Sequence, residues 1–181
     1  MILKGKTVYI LIADGYHEHE FWFPYYRFRE EGANVIVAAP NIGTVYGEGR
    51  HGKDGLEAIA DTAISDLSDK TDKLPDILFL PGGIYGPLSL RAIPKVQNYV
   101  RNCMDAGKLI CSICHAPWIL ISAGVLKGKT VSAPGDIAPD IIGAGGNYSS
   151  DKVTLDRNLL TAQYFACLPE MFQVMFTQCF R

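Results

Sequence analysis

A single α/β domain over residues 1–181, with a mainly parallel central sheet between two helical layers, is the fold the sequence predicts, and three observations predict it. Short, nearly unbroken apolar runs at Thr7 to Ala13, Val35 to Ala39, Ile77 to Leu80 and Leu109 to Ile113 have the length and composition of strands covered on both faces. Stretches with helical spacing alternate with them, so consecutive strands read as βαβ units, whose crossovers are right-handed. The length, with 48% hydrophobic and 20% charged residues, is that of one globular domain able to bury a core without a metal or disulfide staple. Together these give a three-layer sandwich of flavodoxin-like kind.

Each element has its own signal. The first run passes through the polar loop Asp14-Gly15-Tyr16-His17 into a helix predicted over Glu18 to Glu31, with Pro24 kinking or restarting it and Gly32 ending it. Thr44 to Thr62 mixes glycines, charges and short apolar residues, which reads as a hairpin or edge excursion. The third strand stops at Pro81-Gly82-Gly83, and Val96, Tyr99, Val100 and Cys103 then mark a helix over Pro94 to Ala106. After the fourth strand, Ala116 to Ala123 is predicted helical, with Pro117 tolerated in its first turn and Gly124 as its cap. Thr130 to Ser132, Val153 to Leu155 and Leu159 to Ala162 read as short strands, and Ile137 to Ala144 as a helix. Leu168, Met171, Phe172, Met175 and Phe176 give an amphipathic helix from Pro169 onward.

Composition removes several function classes. A net charge of −2 leaves no electrostatic footprint for nucleic acid or an anionic membrane. The apolar runs stop far short of the roughly 18 residues of a membrane span. Met1 to Lys6 lacks a secretory pattern, and five cysteines are too few and odd in number for a disulfide scaffold, so a cytoplasmic, reducing location is expected.

In an open parallel sheet, loops at the carboxyl ends of strands line the ligand crevice. Three such loops hold unusual residues: Asp14 to Glu20, Pro81 to Gly86, and Cys114-His115. Cys114 stands where a strand turns sharply into a helix, an elbow that exposes one side chain. The adjoining helix N-terminus is expected to favour its thiolate, and the backbone N–H groups of His115 and Gly83 to form an oxyanion hole beside the Cβ-free Gly82-Gly83. Glu20 is expected to be protonated by burial and to hydrogen-bond the thiolate. The plainer alternatives are a buried core cysteine and a helix-start carboxylate. Adjacent side chains usually diverge, so His115 is expected to act through its backbone rather than its ring. Cys111 and Cys114 form a C-x-x-C, but Cys111 falls inside a strand and no second pair completes a zinc set. His17-Glu18-His19-Glu20 has metal-binding composition, while a polar loop entering a helix accounts for it as well; no metal and no cofactor are expected. No phosphate-loop motif is present, which leaves a nucleotide-binding module the weakest reading.

Leu80-Pro-Gly-Gly83 and Ser112-Ile-Cys-His-Ala-Pro-Trp118, with Ile119 to Lys129, Glu20 to Tyr25, Glu30 to Gly32 and Asp156 to Thr161, make the chain resemble the PfpI-type intracellular cysteine peptidases. That superfamily includes the parkinsonism-associated deglycase and class I glutamine amidotransferase domains. The resemblance spans essentially the whole chain. It implies Cys114 as nucleophile, Glu20 as its carboxyl partner, Gly83 and His115 at the oxyanion hole, and a homodimer or hexamer. It also implies a peptidase, a glyoxalase or deglycase acting on small aldehydes, a chaperone, or an isonitrile hydratase. Three departures stand out. Ile84-Tyr85-Gly86-Pro87-Leu88 contains no acid to orient His115, which weakens the peptidase reading; His17 replaces a second glutamate; and Ala116 replaces a common glycine, narrowing the pocket. Asp136 and Tyr85 are the candidate substitutes for the missing acid.

The expected function is attack by the Cys114 thiolate on a carbonyl of a small aldehyde or a peptide. Glu20 or His17 would move protons, and Gly82, Gly83, His17 and Ala116 would shape the substrate site. The alternative is a non-enzymatic stress sensor or chaperone whose Cys114 oxidises to a sulfinic acid held by Glu20.

Overall fold

The computed structural model describes residues 1–180. In chain order the elements are β1 (Thr7–Leu11), α1 (Glu18–Glu30), β2 (Asn34–Ala39), β3 (Gly43–Tyr46), β4 (Glu57–Ala60), β5 (Thr62–Ala63), β6 (Ile77–Leu80), α2 (Tyr85–Arg91), α3 (Pro94–Asp105), β7 (Leu109–Ile113), α4 (Pro117–Ala123), β8 (Thr130–Ser132), α5 (Ala138–Gly143), β9 (Asn147–Ser149), β10 (Val153–Asp156), β11 (Leu159–Ala162) and α6 (Leu168–Val174). Short 3-10 turns and a terminal π-turn over Met175–Cys179 complete them.

Seven strands form one sheet in the order β10-β11-β7-β6-β1-β2-β5, parallel except for the β10–β11 hairpin. The central strands read as apolar runs because both of their faces are covered. On one face Val8, Ile10, Phe79, Cys111 and Leu160 pack with Phe21 and Phe28 of α1 and Met171 and Phe172 of α6. On the other, Leu11, Leu78, Leu80, Ile110 and Leu159 pack with Val96, Tyr99 and Val100 of α3 and Ile119 and Leu120 of α4. Each such side chain fully buried contributes about 1.5–3 kcal/mol. This is the flavodoxin-like α/β sandwich. Strand order reverses between β1 and β6, which opens the crevice over the carboxyl ends of β1, β6 and β7. No helix among the described residues is long and apolar enough to cross a membrane.

The expected excursion at 44–62 is an antiparallel hairpin, Gly43 pairing with Ala60. Helix α1 runs through Pro24 as one element. Two elements were not expected: α2, whose first turn holds Gly86 and Pro87, and β9, which pairs in parallel with β8. Strand β1 ends at Leu11 rather than Ala13, although the Ile12 amide still bonds Ala38 O at 2.9 Å.

Candidate active site

Cys114 follows β7 directly and has φ 59°, one of two non-glycine residues with positive φ among those described. Holding a side chain in that region costs about 1–3 kcal/mol and is sustained only where the surroundings impose it. Here they do: the Cys114 amide is tied to Ala162 O of β11 at 3.1 Å, and Pro117 starts α4 three residues on. The sequence-predicted elbow is therefore a strained turn that leaves Cys114 partly exposed in the crevice.

Glu20, in the first turn of α1, is fully buried. Its Oε2 accepts the Gly82 amide at 3.0 Å. Burial, the largest influence, pushes its carboxyl up to about 8, so it is mostly protonated at neutral pH. Gly82 is required by this approach: a Cβ there would lie 2.6 Å from both Cys114 Cβ and Glu20 Oε2. Gly83 has φ +94°, and a Cβ on it would meet the His17 amide nitrogen at 2.9 Å. Gly82→Ala is accordingly expected to destabilise the protein by about 1–3 kcal/mol through overpacking, read as a fall in thermal midpoint; an unchanged midpoint would show that the turn can yield.

Burial and then the Glu20 charge push the Cys114 thiol up, to about 12, while the backbone N–H groups of Gly83 and His115 pull it down. The seven-residue α4 does not outweigh burial, which corrects the expectation that its N-terminus governs the thiol. The Glu20 contribution exists only once Glu20 is ionised. Each group faces two amides, but Cys114 is partly exposed and has His115 Nδ1 3.2 Å away to take its proton, whereas Glu20 has no exposure. The sulfur therefore gives up its proton first, and Glu20 keeps its own.

The ring of His115 does reach the sulfur, contrary to the expected divergence of neighbouring side chains. Nδ1 lies 3.2 Å from Cys114 Sγ, and Nε2 lies 2.9 Å from Asp136 Oδ2. The left-handed backbone at Cys114 brings both side chains to one side of the turn. Asp136 sits on the 3-10 turn Gly135–Ile137, and its hydrogen bond with His115 lowers its carboxyl pKa. The acid missing from 84–88 is thus supplied within the same chain from beyond β8. An Nε2–H donated to the carboxylate leaves Nδ1 to take the thiol proton.

Other expected residues fall elsewhere. Ala116 is fully buried in the core beneath α4, so its methyl does not narrow the pocket. Tyr85 packs over Gly15 and Gly52, away from the His115–Asp136 pair. Cys111 is fully buried in β7 and its thiol is pushed well up by burial, which sets it apart from a reactive dithiol. His17 does border the site: its N–H donates to Gly82 O at 3.0 Å, and its ring stacks on Phe165 with centroids 5.3 Å apart. Phe165, in the loop beyond β11, and Trp118, 4.9 Å from the His115 ring, were not anticipated. The carboxyl-end rule, extended to β11, could have found Phe165. Among the described residues no group of three or more His, Cys, Asp or Glu is placed to hold a metal ion. A concavity of about 480 Å³, lined by His19, Trp22, Phe23 and Tyr26 among others, does not include Cys114.

The burial of Glu20 has a stability consequence. A carboxyl raised above its unfolded value stabilises the fold fully below pH 4.5, and this contribution is lost as pH rises through about 8. Glu20→Gln is expected to flatten the fall in thermal midpoint between pH 5 and 8; parallel curves for the two proteins would contradict the assignment.

A nucleophile elbow, a glycine pair and a buried glutamate set in this sandwich match a known pattern, and residues 6–178 match the model of the DJ-1/PfpI family. The chain belongs to the DJ-1/PfpI family. It is 35% identical to a deglycase of Pyrococcus abyssi over 86% of this chain and 89% of the relative. It is 32% identical to YraA of Bacillus subtilis, named as a candidate cysteine protease, over 88% of this chain and 89% of the relative. Among solved structures it is similar to Drosophila melanogaster DJ-1beta, with TM-score 0.85 and 25% identity, covering 97% of this chain and 90% of that one. Membership of the DJ-1/PfpI family agrees with the architecture and with an enzymatic role at family level.

Proposed function

We propose that this protein is a cysteine-nucleophile enzyme of small carbonyl compounds, of glyoxalase or deglycase type, acting through Cys114. The observation that carries the reading is the alignment of Cys114 Sγ, His115 and Asp136 beside a protonated Glu20. His115 Nδ1 takes the thiol proton, and Sγ adds to the carbonyl carbon. The Gly83 and His115 amides hold the developing oxyanion, which takes a proton from Glu20. An aldehyde gives a hemithioacetal on its way to a hydroxy acid, and the route uses no cofactor. An amide would give an acyl-enzyme instead, and Asp136, by supplying the orienting carboxylate, supports hydrolysis as well. The proposal extends to a cytoplasmic homodimer or hexamer, whose size light scattering would read.

The test compares wild type and Cys114→Ser on methylglyoxal, unfolded casein and a fluorogenic peptide. Cys114-dependent hydroxy acid from methylglyoxal is the expected result. A second reading, a redox or stress sensor or chaperone, draws support from a neutral Glu20 placed to donate to an oxidised sulfur. It would replace the first if wild type turned over none of these substrates yet Cys114 was still modified by peroxide.

A further inference from the structure

His115 and Trp118 stand three residues apart around the start of α4. Facing them are Asp136 and Asp140, four residues apart on the 3-10 turn Gly135–Ile137 and on α5. The two carboxylates meet the two rings in register. Asp136 Oδ2 lies 2.9 Å from His115 Nε2, and Asp140 Oδ2 accepts the Trp118 Nε1–H at 2.8 Å. The rings also touch each other, with centroids 4.9 Å apart and planes tilted by 46°. His115 is thus bounded by the sulfur at Nδ1, a carboxylate at Nε2 and an indole beside its ring.

Asp136 is poorly fixed by its own contact. Its side chain is 66% exposed, against 12% for that of His115, so water competes for the carboxylate far more than for the ring. The segment that carries it is short. Helix α5 has six residues, too few to persist without packing, and Ile137 and Ile141 anchor it in the same core layer as Ile119 and Leu120 of α4. Those apolar contacts hold the segment down but impose no direction on it. The indole-to-carboxylate hydrogen bond is directional and charge-assisted, and it ties α5 to α4 one turn beyond the His115–Asp136 contact.

We propose that Asp140 is a positioning residue, which through the Trp118 indole holds Asp136 on His115 and limits rotation of the imidazole beside Cys114. The inference rests on the reading of His115 as the base for the Cys114 thiol. Asp140 acts at one remove, since its hydrogen-bond partner is the indole and not the imidazole. With that bond gone, Trp118 is free to swing from the His115 ring, and the exposed Asp136 exchanges His115 for water. Nδ1 then carries the proton in part of the molecules, and those cannot take one from the thiol.

The test uses no substrate, so it decides the matter whether or not carbonyl compounds are turned over. Alkylation of Cys114 by iodoacetamide at neutral pH is read by mass spectrometry in wild type, Asp140→Ala, Asp140→Asn and Trp118→Phe, beside thermal unfolding. Nitrogen NMR shifts of the His115 ring, assigned by their loss in His115→Gln, are followed in the same proteins. Asp140→Ala and Trp118→Phe are expected to slow alkylation about 3–10-fold, the loss of one hydrogen bond, and to move the His115 shifts toward the tautomer protonated on Nδ1. Asp140→Asn still offers an oxygen to the indole N–H and should stay within about twofold of wild type. Because Asp140 acts through the Asp136 contact, Asp136→Asn/Asp140→Ala should be no slower than Asp136→Asn alone. Unchanged alkylation and shifts in folded Asp140→Ala would overturn the proposal. So would losses that multiply in the double variant, or a lower thermal midpoint in Asp140→Ala with the His115 shifts unmoved, which would make the contact merely structural. Alkylation unaffected by His115→Gln would instead overturn the reading of His115 as the base, and this inference with it.

Discussion

Replacing Cys114 by alanine is expected to lower kcat/KM on an α-oxoaldehyde by about 10⁴-fold or more, roughly 5.5 kcal/mol of transition-state stabilisation, because every covalent step passes through the sulfur. Stability should move far less. The variant keeps the backbone strain at φ 59° and loses one small, partly exposed side chain, a change of about 1 kcal/mol or less. Steady-state assay beside thermal unfolding separates the two effects. A folded Cys114→Ala protein that retains a tenth of the activity would remove the sulfur from the reaction.

Asp136→Asn carries the second large effect. The amide leaves the 2.9 Å contact in place but can offer an N–H to His115 Nε2, which favours the tautomer with its proton on Nδ1, where it cannot receive one from the thiol. Losing such an orienting carboxylate costs up to about 10⁴-fold when it is buried. The Asp136 side chain is 66% exposed, so water competes for the imidazole and a loss of about 10²-fold in kcat is expected. The measurement is kcat against pH for both proteins. A change below about threefold would reduce the pair to a surface contact of little energetic weight.

What the sequence disclosed and what it concealed have separate causes. The parallel strands were legible because covering both faces makes each an unbroken apolar run, and β7 leading into Cys114 and Pro117 could only be a sharp strand-to-helix turn. Helix α2 was hidden because Gly86 and Pro87 fill its first turn, where proline is tolerated but reads as a loop. Glu20 was visible from its place at the start of α1, and its burial follows from α1 packing over the sheet. Asp136 was visible only as a candidate, since it lies 21 residues from His115 on a short turn with no periodic signal. Ala116 was misplaced because sequence order next to Cys114 and His115 does not reveal that the chain has already turned into the opposite core layer. The same adjacency misled for His115, where the left-handed turn at Cys114 overrides the usual divergence.

The most direct measurement is the ionisation of Cys114 against pH, by thiolate absorbance and alkylation rate, in wild type and Glu20→Gln. In wild type the sulfur should ionise first, beside a carboxyl that stays protonated, and its ionisation should keep the same midpoint when Glu20 becomes glutamine. A wild-type thiol still protonated above pH 10, dropping toward pH 8 only in Glu20→Gln, would show that Glu20 ionises first and would contradict the account.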